Sequence, residues 1–218
     1  MKKILITLTC LLMLSSIALA SPQMDFSQGK GSIDINWRNT ENSITNSDYA
    51  QDFSKKYNFD GTITYGLGNN FALQYRNFVP ESKTTSIYGY DVTAKLRTNE
   101  YNLLYKLDKN VAVLAGVVNA KGELNFENYG GTASTDTKNY WQVGVVASTN
   151  IATNTTLWGS VAAGKNLTNY EIGIGYQFAP SWEFNVNYRD LKLKNFTADD
   201  VTPDIQAKGL GLGVTYKF

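Results

Sequence analysis

Along most of this chain, bulky apolar residues alternate one by one with small or polar ones. From Thr168 to Phe178, Tyr170, Ile172, Ile174, Tyr176 and Phe178 fall on one side of an extended strand, with Glu171, Gly173, Gly175 and Gln177 on the other. Trp182, Phe184, Val186 and Tyr188 alternate in the same way with Glu183, Asn185, Asn187 and Arg189. Leu210, Leu212, Val214, Tyr216 and Phe218 alternate with Gly209, Gly211, Gly213, Thr215 and Lys217. A period of two puts each set on one face of a pleated strand. A soluble barrel, for instance a secreted lipid carrier, would turn the bulky set inward. The opposite face here is Gly, Asn, Gln, Thr and charge, which suits a lumen, while the bulky face suits lipid. Only a closed barrel satisfies every backbone group of a sheet inside a bilayer.

The same alternation covers earlier segments. Ile33, Ile35 and Trp37 oppose Asp34, Asn36 and Arg38; Tyr57, Phe59, Ile63 and Tyr65 oppose Asp60, Thr62 and Thr64. Phe71, Leu73 and Tyr75 oppose Gln74 and Arg76; Tyr101, Leu103, Tyr105 and Leu107 oppose Glu100, Asn102 and Lys106. Trp141, Val143, Val145 and Ala147 oppose Tyr140, Gln142, Gly144 and Ser148. Near 111–120 and 155–164 both faces are small and apolar, so the outward side is open there, including that of Trp158. The expected fold is all-β, a transmembrane antiparallel up-and-down β-barrel of ten strands, or eight if those two segments are misread.

Connection lengths agree with this pattern. Short turns rich in Gly, Asn, Asp or Pro at 66–70, 108–110, 149–154 and 179–181 alternate with long links near 39–55, 80–97, 121–138 and 190–206, plus a brief one at 165–167. Periplasmic turns and external loops alternate in this way in outer-membrane barrels. Aromatic residues gather at both strand ends: Tyr65, Phe71, Tyr105, Phe178, Trp182 and Phe218 near the turns, and Trp37, Tyr57, Tyr101, Trp141, Tyr170 and Tyr188 near the loops. Two such belts are expected at the two headgroup levels.

The N-terminus has a different character. Lys2 and Lys3 precede an apolar run from Ile4 to Met13, and Ala18-Leu19-Ala20 offers small residues for signal peptidase. The run is shorter than the ~20 residues of a membrane-spanning helix. The expected organisation is a cleaved signal peptide at 1–20 and a barrel domain at 21–218. Cys10 leaves with the peptide, so the remainder has no cysteine for a disulfide or a metal site. Loss of Lys2 and Lys3 takes the net charge from +1 to −1, which offers no basic stripe for nucleic acid.

The ending Gly213-Val214-Thr215-Tyr216-Lys217-Phe218 resembles the C-terminal assembly signal of bacterial outer-membrane barrels: a final aromatic, an aromatic two places earlier, and glycine further back. Gly211 stands where the family usually has a polar residue. The whole mature chain is similar to small outer-membrane barrels of the opacity-antigen or porin-like type. The resemblance implies an outer-membrane location in a Gram-negative-type envelope. It also implies recognition of Gly213, Tyr216 and Phe218 by the barrel-assembly machinery, contact with outer-membrane lipid, and a monomer.

The chain contains no histidine. Ser-His-Asp and Cys-His catalysis, imidazole base chemistry and His-ligated zinc are therefore closed to it. Outer-membrane proteases, phospholipases and lipid A deacylases, which the resemblance would admit, each use a histidine. No catalytic residue, cofactor site or metal site is expected. Asp199, Asp200 and Asp204 read as a solvated acidic loop, and Glu171 with Glu183 gives only a weak glycosidase pair. The inward charges Asp34, Arg38, Asp60, Arg76, Glu100, Lys106, Glu171, Glu183 and Arg189 form either a mutually neutralising network that fills the lumen or the lining of a narrow channel. The mixed signs favour the network. The expected function is a non-enzymatic structural or surface-interaction role for a surface antigen whose long loops face outward, with the external ligand unknown; the alternative is a porin-like channel for small solutes.

Overall fold

The computed structural model describes residues 22–46, 49–128, 130–196 and 202–218. The proposed signal peptide, Asp199 and Asp200 lie outside them. Among the described residues there are thirteen strands: β1 (Gly31–Thr45), β2 (Ala50–Asp52), β3 (Lys56–Gly68), β4 (Phe71–Phe78), β5 (Thr85–Ile87), β6 (Tyr90–Asp108), β7 (Val111–Phe126), β8 (Gly131–Ser134), β9 (Lys138–Ala152), β10 (Thr155–Gly164), β11 (Leu167–Ala179), β12 (Trp182–Leu193) and β13 (Asp204–Lys217).

Ten of them form one closed antiparallel barrel in the order β1-β3-β4-β6-β7-β9-β10-β11-β12-β13, with β13 returning to β1. The seam is held to its last residue: Gly31 and Phe218 exchange backbone hydrogen bonds, each 3.0 Å. The ten-strand expectation holds, because the segments at 111–120 and 155–164 are both full barrel strands. The turn between β3 and β4 is set by Asn69 and Asn70, whose φ values of 51° and 68° suit the mirror-image turn that matches strand twist.

The faces follow the alternation in the sequence. Phe59 and Trp141 are 71% and 77% exposed on the outer wall, while Arg38 and Arg189 are 1% and 0% exposed inside. A soluble barrel with its bulky residues inward is therefore not formed. Ring pairs mark both belts. Trp37–Tyr57 (4.4 Å between centroids) and Tyr75–Tyr101 (5.3 Å) lie at the loop end, and Phe71–Tyr105 (4.9 Å) and Trp182–Tyr216 (4.8 Å) at the turn end.

Two expectations need correction. The links near 39–55, 80–97, 121–138 and 190–206 are not loops along their whole length. β1, β6, β7 and β13 continue into them, and β2, β5 and β8 add to β1, β6 and β7 there. β6 has 19 residues, against the ~9–11 that cross a bilayer, so the wall rises well above the membrane. The extension is stable because its inward positions, such as Ile44, Leu96 and Ile205, are apolar and pack together.

The second correction concerns the lumen, which is not polar throughout. At the turn end, the N-terminal tail folds inward, and Met24 and Phe26 pack with Ala72, Leu104, Ala112 and Leu114. Their position explains why the two weak segments carried no polar face. The inward side of β7 (Ala112, Leu114, Val118) and part of that of β10 (Ala162) meets apolar groups rather than ions. Trp158 points into the lumen and is 7% exposed.

Candidate functional site

The middle of the barrel is an ionic layer. Arg38 Nε donates to Asp60 Oδ2 at 2.7 Å, and its Nη2 donates to Glu171 Oε1 at 2.9 Å. Arg76 Nη1 lies 3.0 Å from the other oxygen of Glu171, and its Nε donates to Thr62 at 3.0 Å. Arg189 pairs with Glu100, donates from Nε to Asn169 Oδ1 (3.2 Å), and lies over the Phe78 ring at 4.4 Å. Three guanidinium groups thus meet three carboxylates, and the cluster is electrically balanced. Buried ions of this kind persist only when paired and hydrogen-bonded.

Around the ring of strands, β4 and β11 stand five places apart, as do β6 and β12. The Arg76–Glu171 and Arg189–Glu100 pairs therefore each span the full width of the lumen. Amides complete the layer. Gln142 donates to Asn102 (2.8 Å), Asn102 to Gln74 (3.1 Å), Gln74 to Thr64 (3.2 Å), and Asn187 to Asn36 (2.8 Å).

The remaining inward charges lie nearer the turn end. Lys217 Nζ donates to Glu183 at 3.1 Å, and Asp34 accepts from Ser32 at 3.2 Å and Thr215 at 2.6 Å. Lys106 is half-buried near Asp25 of the tail. The structure brings six of the nine named charges into one layer and leaves Asp34, Glu183 and Lys106 outside it. Glu171 and Glu183 have separate partners, so they make no carboxylate pair facing a common cleft.

Glycines make room for this crowding. A Cβ on Gly213 would lie 2.1 Å from Asn36 Oδ1, and one on Gly211 would lie 2.9 Å from Asn187 Oδ1. Tyr216 and Phe218 lie on the outer wall with ring centroids 6.2 Å apart.

Above the ionic layer, Phe78, Leu96, Val118, Leu191, Leu193 and Phe196 close the lumen with an apolar plug. Two cavities within the ionic region are only about 30 Å³ each, the scale of one or two waters. Beyond the plug the extended wall opens into a mouth with two lobes of about 320 and 410 Å³, joined at Ile44, Tyr49 and Leu124. Sequence reasoning missed the tail plug, the mouth and the amide bridges. The inward parity of Asn36, Asn42, Asn102 and Asn187 was a usable signal for the amides.

Two ion-pair clusters brace the loop-end wall. Glu81 accepts from Lys56 and from Lys95 (2.9 Å), and hydrogen bonds from these two ammonium groups hold its carboxyl below the ordinary 4.5. Glu41 lies between Lys208 (3.0 Å) and Lys55 (3.3 Å) and is lowered in the same way. Among the described residues, no group of acidic side chains is placed to hold a metal ion.

A closed antiparallel barrel with a lipid-facing apolar band and two aromatic belts is an integral membrane β-barrel. The chain belongs to the outer membrane protein beta-barrel domain family, whose model matches residues 6–218, and its place is the outer membrane. No curated protein matches it in sequence. Among solved structures it is similar to the attachment invasion locus protein Ail of Yersinia pestis (12% identity, TM-score 0.44, 88% of this chain and 99% of that one). Neisserial surface protein A is also similar (13%, 0.44, 88% and 100%), as is the outer membrane protease OmpT from Escherichia coli (13%, 0.48, 94% and 99%). None of these likenesses transfers an activity.

Proposed function

We propose that this protein is a sealed, non-enzymatic outer-membrane barrel whose working surface is its extracellular end. The observation that carries this reading is the pair of ion bridges spanning the lumen, Arg76–Glu171 and Arg189–Glu100, held between two apolar plugs. A conducting lumen keeps its charges hydrated and its axis open; here the carboxylates and guanidinium groups bind each other. The absence of histidine from the chain supports the non-enzymatic part, because general acid–base work at neutral pH is left without its usual group. The barrel acts as a monomer, contacts lipid along its apolar band, and presents Phe218 to the assembly machinery after export by a cleaved signal peptide.

Single-channel recording of the refolded mature protein in planar bilayers tests this reading. The expected result is a silent membrane with heat-modifiable migration confirming a folded barrel. Discrete, reproducible openings from the folded protein would return the assignment to a narrow solute channel.

A further inference from the structure

We propose that the outer wall of β4, β6, β7 and β9 holds a phosphorylated glycolipid of the outer leaflet, with its sugar on a row of asparagines and its phosphate on Arg97 and Lys121. The site goes beyond the extracellular role proposed above and does not depend on it. Asn77, Asn99, Asn119 and Asn139 are direct cross-strand partners on four successive strands. Such partners share a face, and it is the outer one, because Asn99 lies between Thr98 and Glu100, both buried inside. Asparagine is a poor strand former, so sheet stability does not account for four of them in register. Hydrogen bonds join the row in two pairs: Asn77 donates to Asn99 Oδ1 at 3.0 Å, where the Tyr75 hydroxyl also bonds (2.7 Å), and Asn119 donates to Asn139. Each amide has more donors and acceptors than these bonds use, and an outward row of amides matches the hydroxyl groups of a sugar.

The row stands where a lipid headgroup lies. Two residues nearer the membrane on β4, β6 and β9 are Tyr75, Tyr101 and Trp141 of the loop-end belt, above the apolar band. Two residues farther out on β6 and β7 are Arg97 and Lys121, again cross-strand partners. At ~3.4 Å per residue along the strand, amides follow the aromatic belt by about 7 Å and cations by about 14 Å, the span of a phosphorylated sugar headgroup. Arg97 gives Nε to Glu123, 3.2 Å from each oxygen, and Lys121 Nζ lies 3.9 Å from the same carboxylate. Two cations thus share one carboxylate, and the terminal amino groups of Arg97 remain for a phosphate. The loop-end wall of β11, β12, β13 and β1 is built differently. There Asp190 accepts from Tyr170 (2.9 Å) and Gln206 (2.8 Å), and Glu41 lies between Lys55 and Lys208, so two cations meet two carboxylates.

The test titrates the refolded full barrel in detergent micelles and counts bound lipid by native mass spectrometry. The probes are lipid A (a bisphosphorylated, acylated glucosamine disaccharide), its monophosphoryl form, and phosphatidylglycerol, which has phosphate and no sugar ring. The expected result is one lipid A per barrel, held about tenfold more tightly than phosphatidylglycerol, a factor of the size one hydrogen bond supplies. Asn119→Ala with Asn139→Ala should weaken lipid A by about tenfold and leave phosphatidylglycerol unchanged. Arg97→Gln with Lys121→Gln should erase the preference for lipid A over its monophosphoryl form, and Lys55→Gln with Lys208→Gln on the other wall should change neither. Heat-modifiable migration checks that each variant is folded; should the asparagine pair not fold, Asn99→Ser serves in its place. Lipid A held no more tightly than phosphatidylglycerol, binding that neither face variant weakens, or equal loss from the Lys55 and Lys208 pair overturns the proposal. So does a lipid-free dimer that the asparagine pair abolishes, which would make this face a contact between two copies of the chain.

Discussion

Arg76 of β4 and Glu171 of β11 meet at 3.0 Å although their strands stand on opposite sides of the barrel. Glu171 also accepts from Arg38, so one carboxylate ties three walls together. The arrangement converts what a sequence shows only as scattered inward charges into a brace across the lumen. It also makes the brace vulnerable, because Arg76 depends on a carboxylate supplied by a strand across the barrel.

Glu171→Ala should therefore be among the most damaging single substitutions. It leaves Arg76 without a carboxylate partner within ion-pair distance and Arg38 with Asp60 alone, in a layer where water has little room. Breaking a buried pair by removing one partner costs about 3–5 kcal/mol. Urea unfolding of the refolded barrel in lipid, followed by tryptophan emission, measures the loss.

Glycines of the barrel should differ sharply in tolerance. A Cβ on Gly209 would meet the backbone oxygen of Asn39 at 2.2 Å, whereas one on Gly61 meets nothing closer than 3.6 Å. Gly209→Ala should destabilise by roughly 1–3 kcal/mol, in the range of overpacked sites, and Gly61→Ala should be close to neutral. Equal unfolding midpoints for the two would contradict the packing described.

The tail should behave as part of the barrel rather than as a leader. Phe26 is 2% exposed within the turn-end cluster, and its carbonyl accepts from Gly68 N–H at 2.9 Å. Phe26→Ala should lower stability by ~3–5 kcal/mol, as large-to-small changes in cores do. Because the ionic layer and the loop-end plug remain, bilayer recordings of this variant should still be silent.

Acid should loosen the loop-end wall first. Glu81 has a carboxyl pKa depressed in the folded state by Lys56 and then Lys95, so its stabilising effect is present above the usual 4.5 and is lost as pH falls through the lower folded value. Glu41, held down by Lys208 and then Lys55, adds to this in the same direction. Amide exchange in β5 and at the start of β6 should accelerate below about pH 4.5 relative to β11 and β12. Glu81→Gln should raise exchange there at neutral pH and flatten its dependence on acid.

Much of the fold was legible because a strand's period is two. Tyr170, Ile172 and Ile174 had to share a face opposite Glu171 and Gly173, whatever their neighbours, and a face of that composition selects lipid. Legibility failed where both faces were alike. Ala112, Leu114 and Ala162 gave no sign of direction, because what lies opposite them is Met24 and Phe26 of the tail, far away in sequence or across the lumen. The loop-end strands were read as loops because their polar outer residues and turn-forming Gly and Asn hide the pairing of β2, β5 and β8 with the barrel wall.

By itself, then, the sequence determined the closed antiparallel barrel, its lipid-facing band, its belts and the list of inward charges, since these follow from local alternation and connection length; the choice of ten strands over eight came with the structure. Only the tertiary structure decided which charge meets which, that the tail and the loop-end residues close both ends, and that the extended wall holds a two-lobed mouth. Pairing across a lumen depends on strand order, register and tilt. These are properties of the closed sheet as a whole, and no single strand's period contains them.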